Sequence, residues 1–282
     1  MRLSVGSSCT KLRVKFCVFS ECHSSGRGGG IYASSSSLES QIERSFFHLC
    51  SSVSDEGGSF YISLKKSLMS HCCMSKCSAT LTHAFSAYLL NNEEVNECNA
   101  TTILSCPTKG ENIRTMFILG NGIQSLCLDN VSNSNTNSHR GVHLDAEVES
   151  HSHSLTVVQN KIGSTFYSCD NYHAMERVNA INNSYTPSYK ALIYVTKSGS
   201  FADSVFASNS HTTFKGKGTV DFTRCAFCSN GFPDPPNDLC VPTHALRHLS
   251  SYVCGSAASA PHTVQVSPLS IAPLCIHFVA FW

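Results

Sequence analysis

One short motif recurs along this chain, and the recurrence limits the fold more than composition does. Phe-x-x-Cys occurs at Phe19/Cys22, Phe47/Cys50, Phe166/Cys169 and Phe222/Cys225. Phe206-Ala-Ser-Asn209 is the same motif with Asn in the last place, and Met74/Cys77, Val95/Cys98 and Ile103/Cys106 are looser copies. Two copies are followed by glycine at nearly one offset: Gly28-Gly29-Gly30-Ile31 after Cys22, and Gly57-Gly58-Ser59-Phe60 after Cys50. Self-similarity at a period of roughly 20 to 50 residues is the signature of a solenoid. Between the motifs lie short alternating runs such as Ala191 to Val195 and Thr219 to Phe222, which read as strands, separated by Ser, Asn and Gly clusters. Leucine-rich spacing and the tryptophan signature of propeller blades are absent. A coil of about 21 to 28 residues fits three short strands joined by tight turns, so the expected fold is all-β, a right-handed parallel β-helix.

The physics of such a coil assigns each motif residue a task. Strands of successive coils pair at roughly 4.8 Å, so inward residues stack on their counterparts. Phe over Phe then buries apolar area in a regular column, and all the Phe rings are expected in one column. The Cys or Asn three places on turns inward at a corner: Asn bonds to its stacked neighbours, and Cys fills the same volume without needing a partner. The glycine pair permits a turn with positive φ. Cysteine intervals of 21 or 22 residues, such as Cys50 to Cys72 and Cys77 to Cys98, are taken as further traces of the period.

These copies resemble the repeats of polymorphic outer-membrane-protein-like surface proteins, which are built from Phe-x-x-Asn and Gly-Gly-Ala-Ile tetrapeptides. They also resemble cysteine-bearing β-helix proteins of trichomonad-type protists. The match is clear over 16–62 and 201–230, with Gly30 and Ser59 in the place of the family's Ala. The resemblance implies a right-handed, pectin-lyase-like β-helix and a surface or secreted scaffold, adhesive or binding carbohydrate or protein. Host or cell-surface glycans or proteins are the partners it implies, and an extracellular or cell-surface location.

The remaining composition narrows the reading. Only 14% of the 282 residues are charged and the net charge is +1, so no polyanion-binding face and no nucleic-acid partner are expected. Sixteen cysteines fit either small buried fillers or an oxidising compartment. Three sequons begin at Asn99, Asn130 and Asn182. No secretory signal and no transmembrane span of the needed length are visible. The chain opens almost directly inside a patterned segment, as a fragment would. The repeat domain is assigned to residues 1–232. Gly231 to Pro242, with its clustered prolines, ends the strand pattern, and residues 233–282 are expected to form a cap or tail.

Candidate chemistry is sparse. The glycine run lacks the Gly-Lys-Ser/Thr of a phosphate loop. Cys225 and Cys228, with Cys240, His244, His248 and Cys254, offer zinc-ligand types at irregular spacing; a disulfide and simple packing are the alternatives. His139, His143, His151 and His153 stand close in sequence, with Glu147 and Glu149 beside them. Asp203 and Asp221, stacked with Arg224 nearby, are the one candidate for polysaccharide lyase or hydrolase chemistry. No catalytic residue, metal site or cofactor is assigned. A degenerate polysaccharide-active enzyme and a decayed repeat without distinct activity are the alternative readings.

Overall fold

The structure is a computed structural model. It describes residues 2–80, 85–89, 94–106, 115–127, 130–132, 140–145, 150–158, 160–162, 165–169, 171–185, 191–209 and 214–228. Every element among them is a β-strand, and neighbouring strands pair in parallel with partners from the preceding and following coil, as Phe46 to His48 does with Val18 to Ser20 and Cys73 to Ser75. The molecule is a parallel β-solenoid. The expected 233–282 cap lies outside the described residues.

Each coil contributes to three faces. A 16-stranded sheet holds the first two, because Ile31–Glu43 and Phe60–Ser70 each run through both, with a register shift between Ser35 and Glu39. The third face is a nine-stranded sheet. The coil spacing shortens along the chain, from 28 residues between Cys17 and Ser45 to 21 between Asp203 and Arg224. Such drift explains why no single period is visible in the sequence.

Two inward columns run the length of the stack. On the third face, Phe19, Phe47, Met74, Ile103, Val131, Val157, Ala180, Phe206 and Phe227 share one register position. On the second face, Val14, Ile42, Met69, Cys98, Leu126, Ser152, Met175, Phe201 and Phe222 share another. The single Phe column expected from the motif is therefore corrected to two. Phe19 and Phe47 stack at 4.8 Å with rings 4° apart, and Phe206 belongs to their column. Phe222 instead stacks on Phe201 at 5.5 Å, and Cys225 follows it at the other corner. Phe166 and Cys169 lie on Thr165–Cys169, a first-face strand in which Cys169 pairs with Leu144 and Val195. The motif is too short to tell these positions apart, since both corners use a bulky residue, two spacers and a small one.

The spacer before each small residue carries the bend. Glu21, Leu49, Lys76, Ser105, Asn182 and Ser208 all have φ between 51° and 54°, one place before the third-face corner. Phe16, Arg44, His71, Ala100, Ser154, Arg177, Asp203 and Arg224 do the same at the second-face corner. Left-handed conformation in non-glycine residues costs on the order of 1 kcal/mol each. The N–H that this conformation directs along the stack bonds to the next coil: Glu21 to the His48 carbonyl at 2.9 Å, Lys76 to that of Leu104 at 3.0 Å and Asn182 to that of Ala207 at 3.0 Å. Glycine serves a different turn. Gly28 and Gly57 have φ of 70° and 74°. Next to them, a Cβ on Gly29 would collide with the Gly58 carbonyl and one on Gly58 with the Ser78 carbonyl.

The small corner residues form a row of their own. Cys22, Cys50, Cys77 and Cys106 follow Phe19, Phe47, Met74 and Ile103, and Asn160, Asn183 and Asn209 continue the row after Val157, Ala180 and Phe206. The Cys50 thiol donates to the Phe19 carbonyl at 3.3 Å, Cys77 to that of Phe47 at 3.4 Å and Cys106 to that of Met74 at 3.5 Å. Asn160, Asn183 and Asn209 donate through Nδ2 to the carbonyls of Val131, Val157 and Ala180 at 3.0, 3.0 and 2.8 Å. Thiol and amide thus serve the same acceptor one coil back. This corrects the expectation that Cys merely fills space. The intervals of 21 or 22 residues between cysteines also prove to join unlike positions: Cys50 belongs to one corner row and Cys72 to the other.

A second buried polar row lies inside the second face, at Ser40, Ser67, Asn96 and Gln124, with His173 further along it. Ser40 donates to Ser67 at 3.3 Å, Asn96 to Gln124 Oε1 at 3.4 Å, and His173 Nε2 lies 2.9 Å from the Ser152 hydroxyl. Burial, with a smaller contribution from His151, pulls the His173 pKa down from 6.5 to about 3. The folded chain therefore keeps this ring neutral where the unfolded chain takes up a proton. Its contribution is fully present above pH 6.5 and is lost as pH falls toward 3, at about 1.4 kcal/mol per pH unit. Urea midpoints between pH 7.5 and 4.5 should fall more steeply in the natural chain than in His173→Gln. Equal slopes would remove His173 from the acid response.

Candidate functional site

Outward side chains on a parallel stack meet residues one coil away, so charges scattered in sequence gather in space. On the second face this happens over the first three coils. Lys11, Glu39 and Lys66 form one outward row, and Arg13, Gln41 and Leu68 form the row beside it. Together with Leu12 and Ser40 they line a groove of about 110 Å³. Alternation along Lys11–Lys15 explains the arrangement, because Leu12 and Val14 are buried and Lys11, Arg13 and Lys15 are exposed.

The charges differ in their partners. Lys15 is held by Glu43 at 2.7 Å, and Lys65 reaches Glu39 at 3.9 Å and Glu94 at 3.7 Å. Lys11, Arg13 and Lys66 have no ion pair among the described residues, so three cations face Glu39 and the neutral Gln41 across the groove. Lys11 and Lys66 sit two strand spacings apart, about 9.6 Å at the backbone. A net charge of +1 over the whole chain gave no hint of this local excess. The sequence signal was Lys-x-Arg-x-Lys with apolar residues between, which becomes a basic strip only when it is read as a strand.

A second outward feature stands on the first face. Tyr32 and Tyr61 stack at 5.9 Å, with Arg2 4.9 Å above the Tyr32 ring and Arg27 4.7 Å above that of Tyr61. Arg27 also donates to the Tyr61 hydroxyl at 3.3 Å and to Asp55 at 3.3 Å. Its charge is thus matched by Asp55 and by Glu56 at 3.5 Å, unlike the groove cations.

The other sequence candidates separate in space. Asp203 does not stack on Asp221: it receives Arg224 in a two-bond fork at 2.6 and 2.7 Å, while Asp221 pairs in register with Ser200. Arg224 holds the Asp203 carboxyl below its usual range, so this residue is an ion-pair partner and not a poised acid or base. His151 and His153 do project on one side of Ser150–His153, where His153 lies 3.9 Å from Glu176 and 2.8 Å from the Ser154 hydroxyl. His143 lies on a first-face strand, and His139, Glu147 and Glu149 lie outside the described residues. The Cys225 thiol donates to the Phe201 carbonyl at 3.3 Å, whereas Cys240, His244, His248 and Cys254 lie outside the described residues. No group of three or more His, Cys, Asp or Glu side chains suited to a metal occurs among the described residues. No helix among them is long and apolar enough to cross a membrane.

Compared with family models, curated proteins and solved structures, the chain matches none.

Proposed function

We propose that the protein is a non-catalytic β-helix scaffold, surface-exposed or secreted, that binds acidic glycans along the Lys11–Arg13–Lys66 groove. The observation that carries this reading is the set of three cations without ion pairs around a groove with a partly apolar floor. Gln41 supplies a hydroxyl partner, Leu12 and Leu68 supply apolar area, and the repeat of charge over two strand spacings is commensurate with an extended disaccharide. The right-handed coil and the adhesive role implied by the motif resemblance belong to the same proposal. The Tyr32–Tyr61 stack is a second platform for a longer ligand.

On a glycan array, carboxylated or sulfated chains should be retained and their neutral counterparts should not. Arg13→Ala with Lys66→Ala should weaken that binding about tenfold or more, with a steep dependence on salt. Retention of neutral glycans at undiminished strength by the double variant would sink the groove. Retention of nucleic acid or an acidic protein in preference to glycans would sink the ligand class.

A further inference from the structure

The corner row holds four thiols on consecutive coils, and its chemistry is independent of the ligand read above. Cys22, Cys50, Cys77 and Cys106 are buried thiols. The backbone runs in register through the row: Ser51 N–H bonds to the Cys22 carbonyl at 2.8 Å and Ser78 N–H to the Cys50 carbonyl at 2.9 Å. Within the row the thiols are hydrogen-bonded to one another, Cys50 to both Cys22 and Cys77, and Cys77 to Cys106. Equivalent Cα atoms on paired parallel strands are about 4.8 Å apart, inside the roughly 4.4–6.8 Å that a disulfide spans.

We propose that this row is a site of covalent cross-linking, closing as two inter-coil disulfides, Cys22–Cys50 and Cys77–Cys106. The pairing follows from reach and parity. Only neighbours in the row can meet, and a Cys50–Cys77 bond would strand Cys22 and Cys106 two coils beyond contact. Pairing from the ends uses all four thiols. The other corner row makes the contrast: Cys17 and Cys72 are separated by Ser45, so no two thiols there are consecutive. Among the described residues, no other register row sets cysteines on adjacent coils.

The chemistry is thiol–disulfide exchange with a small-molecule disulfide such as oxidised glutathione. One protein thiolate attacks a glutathione sulfur, forming a mixed disulfide and expelling one glutathione thiolate. The neighbouring protein thiolate then attacks the protein sulfur of that mixed disulfide and expels the second. Each cross-link takes two electrons from two cysteines, reduces one glutathione disulfide to two glutathione thiols, and passes both cysteine protons to them. Cys22 begins the exchange, because it lies on the end strand of the row. Opening of the terminal coil then admits Cys50.

The test uses the full chain with its sixteen cysteines, equilibrated with oxidised glutathione in sub-denaturing urea. It is then denatured, alkylated and mapped by non-reducing peptide mass. Peptides joined through Cys22–Cys50 and Cys77–Cys106 are expected. A Cys50–Cys77 bond, or alkylation of all four, would overturn the proposal. In Cys50→Asn, which installs the residue used at the Asn160, Asn183 and Asn209 corners, Cys22 should become alkylated while Cys77–Cys106 persists. Linkage of Cys22 to Cys77 or Cys106 in that variant would overturn it too. Oxidised natural chain should melt roughly 5–15 °C above the oxidised Cys50→Asn/Cys106→Asn double variant, and an unchanged melting temperature would refute a closed zipper.

Discussion

Phe47→Ala should cost roughly 3–5 kcal/mol, measured as a shift in urea midpoint at constant slope. The ring is fully buried, lies parallel to Phe19 at 4.8 Å and tilts against Phe60 at 5.4 Å. It therefore ties two coils of the third face to the first face, and Gly30 closes over it so tightly that a Cβ there would lie 3.1 Å from Phe47 Cδ1. Parallel strands pinned by registered hydrogen bonds have little freedom to collapse into the cavity, which places this site at the upper end of large-to-small substitutions. Phe222→Ala is the internal comparison. That residue carries the same motif but is 36% exposed and packs on Phe201 and Phe206 at the edge of the described stack. Its loss should be nearer 1 kcal/mol. Equal effects at the two positions would mean that the column does not organise the core.

Asn183→Ala should be comparably damaging for a different reason, on the order of 3 kcal/mol. Its Oδ1 accepts from the Asn160 backbone N–H at 3.1 Å and from Asn160 Nδ2 at 3.0 Å. Its Nδ2 donates to the Val157 carbonyl and to Asn209 Oδ1, both at 3.0 Å. Alanine would withdraw these partners from groups sealed away from water, each worth about 1 kcal/mol or more. Asn183→Cys should recover about half of the loss. A thiol can replace the bond to the Val157 carbonyl, as Cys77 does toward Phe47, but it cannot replace both bonds to Asn160. Chemical denaturation of the three proteins checks the order Asn, Cys, Ala. A Cys variant no better than Ala would show that the two halves of the row are not chemically equivalent.

How far the sequence could be read depended on what each residue type reveals locally. The Phe-x-x-Cys and Phe-x-x-Asn copies revealed a solenoid because a big residue, two spacers and a small polar one recur at every third-face corner. The same copies concealed the existence of two columns, since Phe222 and Phe19 have identical local sequence and different stacking partners. The bends were illegible: Glu21, Leu49 and Lys76 share a left-handed φ but no side-chain chemistry. The candidate groove was half legible. Lys11, Arg13 and Lys15 alternate visibly, but Glu39 and Lys66 join them only through pairing between coils.

From the sequence alone came the all-β class, the stacked coil, the inward Phe and corner residues and the glycine turns, because these rest on steric and apolar preferences acting within a few residues. Tertiary structure alone decided which copy stacks on which, how thiols and amides share one row of carbonyl acceptors, and where uncompensated charge collects. Those outcomes depend on register between strands 21 to 28 residues apart. Register is a sum over many hydrogen bonds and side-chain contacts along the whole stack, and no local motif encodes it.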